Sequence, residues 1–86
     1  MAWLARVYVT PKQGVLDPQG KAVQRALHSL GYPEVDDVRL GKYVEVRLAD
    51  GSRESVETRV REMCERLLAN RVIEDFRFDL DAVATE

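Results

Sequence analysis

The chain has 86 residues, 45% of them hydrophobic and 33% charged, with three prolines and five glycines, which describes one globular domain (1–86) and not a disordered or low-complexity polymer. Thirteen basic residues against fifteen acidic ones give a formal charge of −2, which excludes the clustered basic excess of a nucleic-acid surface. A single cysteine, Cys64, excludes an internal disulfide, Arg6 interrupts the first apolar run so that no leader is expected, and no run approaches the ~18 residues of a membrane span, so a cytoplasmic setting is expected.

Residues 2–10 alternate, with Trp3, Ala5, Val7 and Val9 on one side and Leu4, Arg6, Tyr8 and Thr10 on the other, which predicts a strand ended by Pro11. A helix follows with both ends written into the sequence. Asp17 serves as N-cap, Pro18 sits where no N–H is needed, and Gly31 supplies the left-handed stop. Val23, Ala26, Leu27 and Leu30 make an apolar stripe, and Lys21, Gln24, Arg25 and His28 make a polar, mildly basic face expected to point outward.

Residues 35–50 are expected to form one long strand. Val38, Leu40, Val44, Val46 and Leu48 share one parity, whereas a hairpin turn at Gly41-Lys42 would scatter them over both faces. Such a strand is longer than either helix can cover, so part of it must overhang. Ser52 caps a second helix that runs to about Ala69, with Val56, Val60, Met63, Cys64, Leu67 and Leu68 as its stripe and Asn70 as a left-handed stop. Residues 72–80 form the last strand, with Phe76, Phe78 and Leu80 facing in, and 81–86 are expected to fray. The order β-α-β-α-β implies an α+β two-layer sandwich with both helices on one face of a small sheet and the long second strand extending into an oligomer interface.

The residue pattern offers little chemistry. His28 is the only histidine and is placed on a helix face, Cys64 lies on an apolar stripe, and Asp36 and Asp37 are strand neighbours that point to opposite faces. No catalytic, cofactor-binding or metal-ligating set is assembled by spacing. A phosphate site at the start of the first helix is disfavoured, because the Asp17 carboxylate occupies the anion position and Pro18 removes a donor. The stronger signal is assembly. An overhanging strand exposes unpaired backbone groups that a second copy would cover, and Arg39, Gly41, Tyr43, Glu45 and Arg47 give that strand the aromatic-plus-arginine character of an interface. Lys21, Gln24, Arg25 and His28 are the candidate docking face for a different partner.

Several strings together resemble one family. Val15-Leu16-Asp17-Pro18-Gln19-Gly20-Lys21-Ala22-Val23, Ala26-Leu27, Leu30-Gly31-Tyr32, Val38-Arg39, Gly41-Lys42-Tyr43, Met63-Cys64, Leu67-Leu68-Ala69-Asn70 and Val72-Ile73-Glu74-Asp75-Phe76 are similar to PurS, the small subunit of bacterial phosphoribosylformylglycinamidine synthase. The resemblance implies a non-catalytic subunit of an ATP-dependent, glutamine-hydrolysing ligase in purine biosynthesis. It implies a homodimer or tetramer bridging a glutaminase subunit and a synthetase subunit, with ATP and glutamine used by the complex and no cofactor held by this chain. A different class, a small-molecule-sensing dimeric α+β module, is the alternative that the residue pattern leaves open.

Overall fold

The computed structural model describes residues 2–83. Three strands, β1 (Ala2–Pro11), β2 (Lys42–Leu48) and β3 (Glu74–Val83), form an antiparallel sheet in the order β2-β1-β3. Two helices accompany it, α1 (Pro18–Ser29) and α2 (Arg53–Met63), the second prolonged by a π-helical turn, Cys64–Leu68. β1 is the centre of the sheet because its alternation is the cleanest in the chain: Ala5, Val7 and Val9 are fully buried. In register they meet Val46, Val44 and Lys42 on β2, and Leu80, Phe78 and Phe76 on β3.

Since both neighbours run antiparallel to β1, β2 and β3 are parallel to each other, and α2 is the crossover between them. Its buried Val56 and Val60, with Cys64 and Ala69, close the core over Trp3, Ala5, Val7 and Val9. Ser52 caps α2 as expected, its Oγ accepting from Ser55 N at 3.2 Å. The helix reaches its expected end by another route: Ala69 N donates to Cys64 O at 2.9 Å, five residues back, and this wider turn brings Ala69 into the core while Leu67 is left 82% exposed. Asn70 is not left-handed, because no residue other than glycine has positive φ among the described residues. Its Oδ1 instead accepts from Val72 N at 3.1 Å, and its carbonyl accepts from the N–H groups of Ile73 and Glu74, forming the turn into β3. β3 starts two residues later than expected and runs on to Val83, because Leu4, Trp3 and Ala2 offer partners to Asp81, Ala82 and Val83. The expected fraying is therefore overturned for 81–83, and residues 84–86 lie outside those described.

The larger difference concerns α1. It is capped as expected, with Asp17 Oδ1 accepting from Gly20 N at 3.0 Å. Its end is a complete Schellman turn, in which Gly31 at φ +100° donates to His28 O and Tyr32 N donates to Leu27 O. Yet no α1 residue belongs to the hydrophobic core. The long strand also divides, and only Lys42–Leu48 joins the sheet. Residues 35–41 run back along α1, with Val35 O at His28, Asp36 O at Gln24 and Leu40 N at Asp17. Five residue steps thus match eleven helix positions, about 16 Å either way, which only an extended chain achieves. Helix and segment form an arm projecting from the sheet. A ten-residue strand of ~33 Å and a twelve-residue helix of ~18 Å placed end to end account for the 49 Å long axis. The radius of gyration is 16.7 Å, where a compact chain of this length has about 12 Å.

The placement of both helices on one face is therefore corrected: α2 alone covers the sheet. The physical reason lies in three residues. Gly20 is buried with its Cα against the Val38 carbonyl, and Gly41 lies equally close to the Val9 carbonyl, so that a Cβ at either would collide with backbone. Asp17 Oδ2 accepts from Leu40 N at 2.8 Å and holds the segment to the start of the helix.

Two outcomes follow from the arm. Ala is ordinarily the better helix former by ~0.5–1 kcal/mol, but Gly20→Ala here is expected to destabilise the arm by ~1–3 kcal/mol, read as faster hydrogen exchange of α1 amides. Equal or slower exchange would discard the close approach. The Asp17 carboxyl is held below its usual range by the Leu40 and Gly20 N–H groups, so its contribution is present above the ordinary Asp range and lost as pH falls through the depressed value. Helical circular dichroism in an acid titration should therefore fall more shallowly in Asp17→Asn than in the wild type.

Candidate assembly surfaces

The sheet face opposite α2 is built by the alternate residues of three strands. Tyr8 is paired with Tyr43 on one side and Arg77 on the other, and Arg6 with Glu45 and Asp79. The Tyr8 and Tyr43 rings are 5.2 Å apart and tilted by 40°, and the Arg77 guanidinium carbon lies 4.0 Å from the Tyr8 ring centre. Tyr43 OH donates to Glu45 Oε2 at 2.8 Å, and this bond holds the Tyr43 phenol above its usual pKa. Arg6 bridges to Asp81 at 2.8 Å. The face is thus an ordered band of aromatic rings and guanidinium groups, with Tyr43 50% exposed. Such a band resembles the centre of a protein interface more than a solvated sheet.

Of the expected interface residues, Tyr43, Glu45 and Arg47 stand together on β2, whose outer edge has no strand beside it among the described residues. Arg39 and Gly41 belong to the segment before it, where Arg39 Nη1 donates to Pro11 O at 3.3 Å.

The expected docking face on α1 is rearranged. Gln24 Nε2 donates to Asp36 O at 3.0 Å, and His28 Nε2 lies 2.8 Å from Val35 O, so that nitrogen carries its hydrogen. The face expected to look outward is the one that holds the chain's own strand, and only Lys21 and Arg25 of the four remain without such a contact. The stripe expected to be covered is open: Val23 is 37% and Leu30 73% exposed, with Leu16 at 79% beside the helix start. Sequence reasoning missed this reversal. The available signal was Gly20, since a glycine inside a helix marks the close approach of another backbone.

Cys64 is buried in the core, and burial pushes its thiol up, away from the reactive thiolate. Among the described residues no group of His, Cys, Asp and Glu is placed to hold a metal ion, and no helix is long and apolar enough to cross a membrane. A cleft of about 600 Å³ is open and lies along β3, where Arg61 stacks 5.3 Å from the Phe78 ring centre. Asp81, in its lining, is already paired with Arg6. These surfaces suit contact with other chains.

Residues 4–82 match the family model PurS, phosphoribosylformylglycinamidine (FGAM) synthase. The phosphoribosylformylglycinamidine synthase subunit PurS of Bacillus subtilis is 53% identical over 81 residues, covering 94% of this chain and 95% of its own. A solved PurS from Thermus thermophilus has a TM-score of 0.85 at 34% identity, covering 98% of this chain and all of that one. A chain of the PurLQS structure from Thermotoga maritima has a TM-score of 0.84 at 26% identity, covering 93% and 98%. Match, identity and fold agree over nearly the whole length, and the chain belongs to the PurS family of phosphoribosylformylglycinamidine synthase subunits.

Proposed function

We propose that this chain works as the assembly subunit of a cytoplasmic phosphoribosylformylglycinamidine synthase, joining copies of itself and bridging a glutaminase subunit to an ATP-dependent synthetase subunit. The observation that carries the reading is the arm: its polar face is spent on its own strand, and its apolar stripe, with Leu30 73% exposed, has nothing to lie on. A fold that turns an apolar helix face to water is completed by another chain. The Thermotoga relative occurs in a PurLQS structure, the kind of assembly this reading requires.

The chemistry gives such a bridge its purpose. Ammonia released from glutamine is diluted and protonated once it escapes into water, so its source must be held against its consumer. The glutamine-hydrolysing and ATP-consuming groups belong to the partner subunits in this reading, and this chain contributes shape and binding surface. Oligomerisation uses the open edge of β2 and the preceding segment, with Arg39, Gly41, Tyr43, Glu45 and Arg47. Docking of a different partner uses Lys21 and Arg25, the exposed cations of the four residues on that face of α1.

Reconstitution from the two large subunits, with and without this protein, tests the role. Glutamine-dependent synthesis should require the chain, while a high concentration of ammonium salt should relieve the requirement; equal glutamine-dependent rates in its absence would sink the idea. For the docking face, Lys21→Glu with Arg25→Glu should slow association with the synthetase several-fold and flatten its salt dependence. Binding unchanged in rate and salt response would place the contact elsewhere.

A further inference from the structure

β3 is the other edge of the sheet, ten residues long, and its unpaired backbone groups can be assigned one by one. Lys12 N donates to Ile73 O at 2.8 Å. That pair, one step beyond Pro11 and Glu74, is therefore of the kind that bonds across an antiparallel ladder. Counting on by twos, Asp75, Arg77, Asp79 and Asp81 bond to β1, and Phe76, Phe78, Leu80 and Ala82 turn their N–H and C=O groups away from the sheet. Among the described residues no strand lies beside this edge and no loop or turn backbone bonds to those four. Phe76, Phe78 and Leu80 are also only partly buried by the core they pack against.

Three guanidinium groups stand along the α2 side of that edge. Arg71 lies 5.4 Å from the Phe76 ring centre, Arg61 5.3 Å from that of Phe78, and Arg53 5.8 Å from the ring of Trp3, whose partner on β3 is Ala82. Their own carboxylates hold them loosely: Glu57 is 3.8 Å from Arg61 and Glu65 is 3.5 Å from Arg71, while Arg53 has no ion pair among the described residues. A guanidinium stacked on a ring keeps its five N–H donors in its own plane, where a carboxylate can still meet them. On the opposite face of β3 the charges answer one another, with Asp79 at 4.0 Å from Arg77 and Asp81 bound to Arg6. The sign of the edge is therefore set by the three arginines, and the cleft along β3 leaves room beside them.

We infer that the free edge of β3 takes an extended acidic segment of a different protein as an added antiparallel strand, with carboxylates opposite Phe76, Phe78 and Ala82 and an apolar side chain opposite Leu80. Main-chain bonds to Phe76, Phe78, Leu80 and Ala82 supply the grip, and Arg71, Arg61 and Arg53 select the sign of charge. A second copy of β3 is a poor occupant, because antiparallel pairing of the two edges brings two rows of arginines side by side. The edge lies across the sheet from β2 and apart from α1, so this contact goes beyond the assembly proposed above and leaves both of its surfaces free.

The probe is the end-blocked peptide Glu-Thr-Val-Thr-Glu-Thr-Glu, added to the full chain and followed by residue-resolved hydrogen exchange. It should slow exchange of the Phe76, Phe78 and Leu80 amides and leave those of Arg77 and Asp79, already bonded to β1, little changed. The same peptide N-methylated at its valine and central glutamate should lose this protection, and the analogue with lysine in place of every glutamate should bind about tenfold more weakly. Arg53→Glu with Arg61→Glu, both at exposed positions, should reverse that preference, and its binding of the lysine peptide shows that the variant is folded. No slowing at the three amides, equal binding of the N-methylated or the lysine peptide, or a charge-reversed variant that keeps the wild-type preference overturns the proposal. Phe78 and Leu80 amides protected without peptide and exposed on dilution would show a second copy on the edge, which overturns it as well.

Discussion

Asp17 carries two hydrogen bonds that decide the shape of the molecule. One carboxylate oxygen accepts from Gly20 N and begins α1; the other accepts from Leu40 N and fastens the returning chain to that same first turn. A carboxylate is an acceptor on both oxygens, so a single side chain serves as helix cap and as tether. Had the second oxygen been free, residues 35–41 would have had no anchor at the base of the helix. With it, helix and segment become one arm, and the glycines at 20 and 41 let the backbones close to contact distance.

The cost of that arrangement is an incomplete core. The sheet is closed by α2 alone, and the inward residues of both edge strands, Val44, Val46 and Leu48 on one side and Phe76, Phe78 and Leu80 on the other, remain half-buried. Arginine stems cover part of the gap on the β3 side, with Arg61 over Phe78 and Arg71 over Phe76. The β2 side has no such roof. A chain of this size buries only about two-thirds of its unfolded surface at best, so leaving a whole amphipathic helix out of the core is tolerable only if association returns the burial elsewhere.

The strand alternation of β1, β2 and β3, both helix caps, the Schellman stop at Gly31 and the uninterrupted parity from Val38 to Leu48 were all legible, because each depends on residues a few positions apart. What was not legible was where α1 would lie. Its stripe of Val23, Ala26, Leu27 and Leu30 reads as a face to be buried, and amphipathicity records that a face needs cover without recording which chain supplies it. Similarly, Gln24 and His28 read as solvent-facing polar residues, whereas they bond to the carbonyls of Asp36 and Val35, which belong to a segment seven to twelve residues further on. Side-chain to backbone bonds carry no sequence signature at that separation. The long strand was expected to overhang its helices; instead it divides at Gly41 into a sheet half and an arm half that lies along α1, since one period of two fits both.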